Sequence, residues 1–321
     1  MAPDQAPNRF CVGHLVNCSL VCTVSYAANA LSIATASPDG AYYLHAQRYA
    51  EVFSAHGVTL DIQMSAGSQQ NLEMLRSADR LTDLAFVQGG FGYLGASSTT
   101  RDRSQIETLS NLDVEPVWLF SRHHDIESLR QLQGLRVAIG PQGSGSRNVA
   151  LKLLDQARVP VGDIKLSALT ANAAVNSLRQ GTVDVVLLVA GADSHVVQNM
   201  LSVPGIKLAN LSKSSAITER NPYLESRLLP QGSLDTNIPP RDIALLTTSA
   251  SLLAHEDLHP ALKRLSIAVA TQVHSGSGIF HRARDFPRSD ELIFQQVLER
   301  VTPCCTGLPH LNARFHSGGP R

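Results

Sequence analysis

The segment LRVAIGPQGSGSRNVALKLLD, residues 135–155, contains the pattern from which we infer the fold of this chain. The apolar run at 135–139 predicts a strand, the Gly/Ser-rich residues 143–146 predict a tight turn, and the residues after them predict an amphipathic helix. The first N–H groups of a helix lack partners and its dipole favours negative charge, so this arrangement can bind an anion. The alternative is that the serines only cap the helix.

The same order of elements occurs twice. Strands of the first copy are predicted at 31–36, 58–65 and 83–90, and strands of the second at 135–139, 164–170 and 184–192. The pieces NLEMLRSADRLTDLAFVQGG and AVNSLRQGTVDVVLLVAGA share the order Leu, Arg, Asp, apolar strand, Gly. Strands that alternate with helices indicate parallel sheet built from crossover units. We therefore predict an α/β fold with two related lobes, each a mainly parallel sheet flanked by helices.

Two further apolar segments predict the connection between these lobes. EPVWLFSR at 115–122 leads out of the first lobe, and DIALLTTS at 242–249 leads back. Two strands that cross between lobes form a hinge, in which few residues absorb a change of angle. The domains predicted in this way are lobe I at 31–120 plus 246–300 and lobe II at 121–245.

Composition narrows the class of protein. The chain has 321 residues, 43% hydrophobic, with zero formal net charge at pH 7, so it is long enough for two packed lobes. Aromatic residues make up 5% and there is one tryptophan. A nucleic-acid-binding protein usually has a basic face or aromatic platforms for bases, and neither is indicated here.

The two ends of the chain differ from its body. Residues 1–30 are mostly apolar from Phe10 onwards and end in Ala28-Asn29-Ala30, which predicts an export signal; a buried N-terminal strand or helix is the alternative. Cysteines occur only near the two ends, which fits an oxidising compartment without disulfides in the body. Residues 301–321, rich in Gly, Pro and His, predict a disordered tail.

The sequence contains only weak matches to motifs for catalysis or metal binding. HEDLH at 255–259 superficially matches a zinc-protease helix, but Pro260 follows at once, which predicts His259 at a helix entrance instead. There is no Gly-x-Ser-x-Gly nucleophile turn. Asp83 and Asp184 precede apolar strands at equivalent places in the repeat, which favours structural capping. We expect no catalytic residue, no metal and no cofactor.

Several turns with anion-binding chemistry are expected to meet at one edge. SPDGAYY at 37–43 and SAGSQQN at 65–71 follow predicted strands, as does the turn at 143–146. Gln88 and Gly191 end the third strands of the two lobes. Because ligands of open α/β sheets bind outside the carboxyl ends of the strands, we expect these turns to face one cleft.

Five motifs occur in order along the chain: SPDGAYY, SAGSQQNLEMLR, DLAFVQGG, LQGLRVAIGPQGSGSRNVA and EDLHPAL. With them, the chain resembles the TAXI family of solute-binding proteins from about Leu31 to Pro287. The resemblance implies a type II periplasmic-binding fold with a hinge and a cleft for a small organic acid or amino acid. It also implies an extracytoplasmic location and a TRAP transporter permease as membrane partner, driven by an ion gradient, usually sodium, without an ATPase.

The resemblance selects residues of the predicted turns as ligand-binding. The set is Ser37, Gly40, Tyr42, Ser65, Gly67, Ser68, Gln88, Gly143, Ser144, Gly145, Ser146 and Gly191. We add Arg147 from its chemistry, because a guanidinium beside the turn can pair with a carboxylate through two hydrogen bonds.

Three classes of function remain open. The leading hypothesis is a binding protein whose lobes close on a carboxylate-bearing solute, either an organic acid or an acidic amino acid, for uptake. An enzyme on the same two-lobed fold, acting as a lyase or transferase, is the first alternative. A ligand sensor that signals through another partner is the second.

Overall fold

The computed structural model describes residues 30–90, 106–211 and 214–288. The predicted export segment, apart from Ala30, lies outside the described residues, as do all five cysteines and the predicted tail. The strands are β1 Ala30–Ala34, β2 Thr59–Gln63, β3 Leu84–Gln88, β4 Ile106–Ser121, β5 Arg136–Ala138, β6 Lys165–Ser167, β7 Val185–Val189, β8 Lys207–Leu208, β9 Glu225–Leu229 and β10 Ile243–His255. The helices are α1 Ala41–Ala55, α2 Ser68–Arg76, α3 Gly145–Gln156, α4 Ala171–Gln180, α5 His195–Leu201, α6 Ser214–Thr218 and α7 Pro260–His274.

One path of hydrogen-bonded strands runs through both lobes in the order β2-β1-β3-β10-β4-β7-β5-β6. On the first side, β1 pairs in parallel with β2 and β3; on the second side, β5 pairs in parallel with β6 and β7. The repeated strand and helix pattern is thus present in both halves. The predicted α/β, two-lobed fold is confirmed, and its continuous sheet is mixed, because β4 and β10 join the parallel strands of each lobe in antiparallel pairs.

The two long strands β4 and β10 connect the lobes at the predicted hinge. They are antiparallel over most of their length, from Ile106 opposite His255 to Val117 opposite Leu246. The last part of β10 pairs with β3 in lobe I, and the last part of β4 pairs with β7 in lobe II. Both predicted crossing segments therefore lie on strands shared by the lobes, while the exact domain boundaries stay a prediction.

Each lobe has its own apolar core. Tyr49, Phe53 and Phe86 are fully buried in lobe I, where α1 and α7 pack on the sheet. In lobe II the two faces of the sheet are covered separately, and Trp118 and Phe120 are fully buried on one of them. Burial of such large aromatic side chains is a main source of stability in a domain of this size.

Asp83 and Asp184 have equivalent structural roles. Ser32 N–H donates to Asp83 Oδ2 at 2.8 Å, and Arg136 N–H donates to Asp184 Oδ2 at the same distance. Each aspartate thus ties the start of its own strand to the neighbouring parallel strand. This agrees with the structural reading of these two carboxylates.

The start of α7 agrees with the prediction that His259 lies at a helix entrance. His259 is the N-cap residue, its ring Nδ1 accepts from Ala261 N–H at 3.2 Å, and Pro260 follows at the first helical position. His255 lies at the end of β10, so the two histidines of HEDLH do not share a helix. None of the helices within the described ranges is both long and apolar enough to cross a membrane.

Candidate ligand site between the lobes

A cavity of about 220 Å³ lies where the carboxyl ends of the strands in the two lobes face each other. Its wall combines the N-terminal ends of α1 and α2 from lobe I with the N-terminal end of α3 and the loop after β7 from lobe II. Part of β4 also contributes, at Leu112, Asp113 and Glu115. The turns that were predicted to converge therefore do surround one space.

Nine of the predicted ligand-binding residues line this cavity. They are Gly40, Tyr42, Gly67, Ser68, Gln88, Ser144, Gly145, Ser146 and Gly191. Five of these belong to lobe I and four to lobe II, so a molecule in the cavity would touch both. Their role in ligand binding stays a prediction.

Four predicted residues lie outside the lining, and their polar groups bind protein atoms instead. The Ser37 hydroxyl donates to Asp39 Oδ1 at 2.6 Å, and the Ser65 hydroxyl donates to the Thr35 carbonyl at 3.2 Å. The remaining two are Gly143, in the turn before α3, and Arg147, in the first turn of α3. The Gly143 carbonyl accepts from Gln69 N–H, and the Arg147 guanidinium donates to the Gly140 carbonyl at 3.4 Å.

The serine hydroxyls of the cavity wall are held by backbone contacts. Ser68 Oγ accepts from Gln88 N–H at 3.0 Å in lobe I, and Ser146 Oγ accepts from Val189 N–H at 2.9 Å in lobe II. Ser144 caps α3, since its Oγ accepts from Arg147 N–H. Each helix start is therefore fixed to the end of a strand or to its own turn.

The two lobes touch at these helix starts. Gln69 N–H in α2 donates to the Gly143 carbonyl of lobe II at 3.2 Å. A Cβ on Gly67 would contact the Ser144 backbone, and a Cβ on Gly145 would collide with the Gln88 side chain. Glycine at these positions leaves room for the two lobes to approach each other closely.

Asn71 anchors α2 beneath the cavity. It is fully buried, its amide donates to the carbonyls of Thr35 and Phe86, and its Oδ1 accepts from Ser65. Because Asn71→Ala would remove the hydrogen bonds of a fully buried amide to the Thr35 and Phe86 carbonyls, we expect it to lower the free energy of unfolding by about 2–3 kcal/mol. Urea denaturation followed by circular dichroism measures this, with the exposed Gln69→Ala on the same helix as control. A loss in Asn71→Ala no larger than that in the control would contradict the anchoring role.

The structure adds acidic residues that the sequence reading missed. Glu115 is only 6% exposed, and the Tyr42 hydroxyl donates to its Oε2 at 3.1 Å. Burial raises the pKa of Glu115 to about 8, and the nearby Asp113 carboxylate adds to the effect. Burial also raises the pKa of Asp113, which lies 3.0 Å from His281 Nε2. Two acids two positions apart, shortly before the apolar run at 117–120, were the available signal.

Two histidines also line the cavity from lobe I. His45 in α1 and His274 at the end of α7 have ring centroids 4.7 Å apart. Burial lowers the pKa of His45 to about 4 and that of His274 to about 3, so both rings are neutral at physiological pH. A search of the described ranges finds no group of three or more His, Cys, Asp or Glu placed to hold a metal ion.

Residues 33–263 match the NMT1-like family, which is more than half of the chain. The chain belongs to the NMT1-like family. Among solved structures, the periplasmic binding protein BugD is 11% identical with a TM-score of 0.52, over 85% of this chain and 94% of that one. A protein of Bordetella bronchiseptica RB50 is 16% identical with a TM-score of 0.51, over 76% of this chain and 70% of that one. At these identities the likeness shows a shared fold.

Membership of the NMT1-like family is broader than the TAXI resemblance. The match covers both lobes and the hinge strands, from β1 to the first turn of α7. It does not distinguish the TAXI group from other groups, so that finer assignment stays a prediction.

Proposed function

We propose that this NMT1-like protein is the extracytoplasmic solute-binding subunit of a TRAP-type secondary transporter and captures a small carboxylate-bearing solute. The observation that carries the proposal is the cavity between the lobes, to which both lobes contribute residues. A solute that contacts both lobes favours the closed arrangement over an open one, which is the population shift that a binding protein needs. The fold shared with BugD, a periplasmic binding protein, supports the same class.

The transporter type rests on the resemblance of the ordered motifs to the TAXI family. That resemblance supports a permease driven by an ion gradient as the membrane partner, and an exported location for the chain. No nucleic-acid partner and no cofactor belong to the proposal.

The N-terminal ends of α2 and α3 supply the contacts for a carboxylate. The N–H groups of Gly145 and Ser146 have no hydrogen-bond acceptor within the part of the chain that the structure describes. Such N–H groups at a helix start favour an anion, both as donors and through the helix dipole. The hydroxyls of Ser68 and Ser144 lie on either side of the same space.

Binding is tested with a panel of small dicarboxylates, keto acids and amino acids. We expect at least one compound to raise the melting temperature, because a ligand present at about one hundred times its Kd stabilises the native state by about 2.7 kcal/mol. Mass spectrometry of the same mixtures should recover the compound unchanged. Stabilisation by none of them, or conversion of the compound to a product, would contradict the proposal.

Variants of two serines in the cavity wall test where the compound binds. We expect Ser68→Ala combined with Ser144→Ala to weaken its binding by about 1–3 kcal/mol, because hydrogen bonds at both helix starts are lost or left unsatisfied. Ser202→Ala is the matched control, since Ser202 is exposed and its hydroxyl donates to the Asn199 carbonyl, and neither residue lines the cavity. Equal affinity in the double variant and the control would move the site elsewhere.

A further inference from the structure

The wall of the cavity carries more acidic side chains than arginine or lysine side chains. Its carboxylates are Asp39, Asp113, Glu115 and Asp193. Arg48 is the only arginine or lysine among the described residues of the lining. A wall with this balance attracts a cation and repels a second carboxylate, because field lines are focused in a cleft with low-dielectric walls.

The acidic residues are concentrated on the hinge strand. Glu115 and Asp113 are two positions apart in β4, so both side chains project from the same face of that strand. Both are cavity-lining, and Glu115 is held in place by the Tyr42 hydroxyl. The buried carboxyl of Glu115 has no cationic partner within the described ranges.

An unpartnered donor lies in the same cavity wall. The Gln88 side chain is 4% exposed, and its amide Nε2 has no hydrogen-bond partner within 30–90, 106–211 and 214–288. Its amide oxygen is close enough to α3 that a Cβ on Gly145 would collide with it. Gln88 therefore borders the helix start that is proposed to hold the carboxylate, and its amide N–H group can donate to an acceptor on the ligand.

We infer that the solute is an amine whose net charge is zero or positive, with its charged nitrogen against Glu115 and Asp113 and its carboxylate at Gln88 and the start of α3. The inference rests on the proposed solute-binding function and narrows its ligand class. An ammonium group donates up to three hydrogen bonds, which the two carboxyl groups can accept. A dicarboxylate in the same place would bring a further negative charge to an acidic wall.

Binding of such an amine is coupled to the ionisation of Glu115. The groups that face this carboxyl are the Tyr42 hydroxyl from α1 and the Asp113 carboxylate from its own strand, with Asp193 and His281 acting on Asp113. Because the raised pKa keeps Glu115 protonated near neutral pH, an ammonium group must displace that proton. Affinity for the amine therefore rises as the pH rises towards about 8, whereas affinity for a dicarboxylate falls.

The test compares 5-aminopentanoate with glutarate, which have similar length and differ in one end group. Both compounds are titrated into the full chain by calorimetry at pH 6.5 and 8.5. At pH 8.5, 5-aminopentanoate should bind about tenfold more tightly than glutarate. Its affinity should be higher at pH 8.5 than at pH 6.5. Tighter binding of glutarate would overturn the inference and leave the solute-binding function standing. If neither compound binds, the inference is overturned as well. The solute-binding function is tested separately, by the panel of dicarboxylates, keto acids and amino acids.

A variant tests the position of the nitrogen. Glu115→Gln keeps the size of the side chain and should remove both the preference for 5-aminopentanoate and its pH dependence. The control is Glu225→Gln, because Glu225 pairs with Arg227 on β9 and is not part of the cavity lining. An unchanged preference in Glu115→Gln, with normal melting behaviour, would overturn the inference.

Discussion

Replacing Trp118 by alanine is expected to lower the free energy of unfolding by about 3–5 kcal/mol. Trp118 is fully buried in β4, where its ring stacks on Phe120 at a centroid distance of 5.7 Å. Its indole N–H donates to the Ala190 carbonyl at 2.9 Å. The alanine variant would leave a large cavity and an unpaired carbonyl at the strand end beside the cavity lining. Urea denaturation followed by far-UV circular dichroism measures the loss.

Trp118→Phe separates packing from hydrogen bonding. Phenylalanine keeps an aromatic ring beside Phe120 but cannot donate to the Ala190 carbonyl. We expect this variant to lose about 1–2 kcal/mol, clearly less than the alanine variant. If the alanine variant lost no more than the phenylalanine variant, burial of the indole would not be a main support of lobe II.

Replacing Glu115 by glutamine should raise the free energy of unfolding at alkaline pH, on the order of 4 kcal/mol at pH 8.5. Folding raises the pKa of this carboxyl from an ordinary value of 4.5 to about 8. Between these values the unfolded chain has lost the proton while the native state keeps it, so native stability falls as the pH rises through this window. Glutamine does not titrate, so the variant escapes that loss.

The measurement is urea denaturation of both proteins at pH 5 and pH 8.5. At pH 5 the difference between them should fall to about 1 kcal/mol, because Glu115 then carries its proton in the native state and the pH is only half a unit above the ordinary value of 4.5. Glu225→Gln serves as the control, since Glu225 is exposed and should give no pH-dependent difference. A stabilisation of equal size at both pH values would argue against the buried, protonated carboxyl.

The fold could be inferred largely from local sequence signals. Alternating apolar runs and helical segments predicted the strands that became β1, β3, β5 and β7, because crossover units fix parallel pairing. The Pro260 signal likewise gave the entrance of α7, since proline is suited to the first turn of a helix. These features depend on neighbouring residues, which a single sequence shows directly.

The composition of the candidate site was harder to infer, because it depends on how distant segments meet. Glu115 and Asp113 lie on the predicted hinge segment or immediately before it, and only the placement of Tyr42 shows that they face the cavity. Ser65 and Arg147 had suitable chemistry, but the Ser65 hydroxyl donates to the Thr35 carbonyl just after β1, and Arg147 donates to the Gly140 carbonyl before its own helix. Side-chain direction at a turn is set by the local backbone, and the type of residue does not reveal it.

The pairing of β10 between β3 and β4 has a consequence for biosynthesis. The nascent chain leaves the ribosome N-terminus first, so β3 and β4 are made long before β10, which begins at Ile243. Until β10 has been made, lobe I lacks the strand that lies between β3 and β4. The unpaired edges of these two strands can then pair with other polypeptides. The middle of the chain can assemble β5, β6 and β7 earlier, so the lobe that starts first finishes last. A chaperone that shields the early segment would act during this interval.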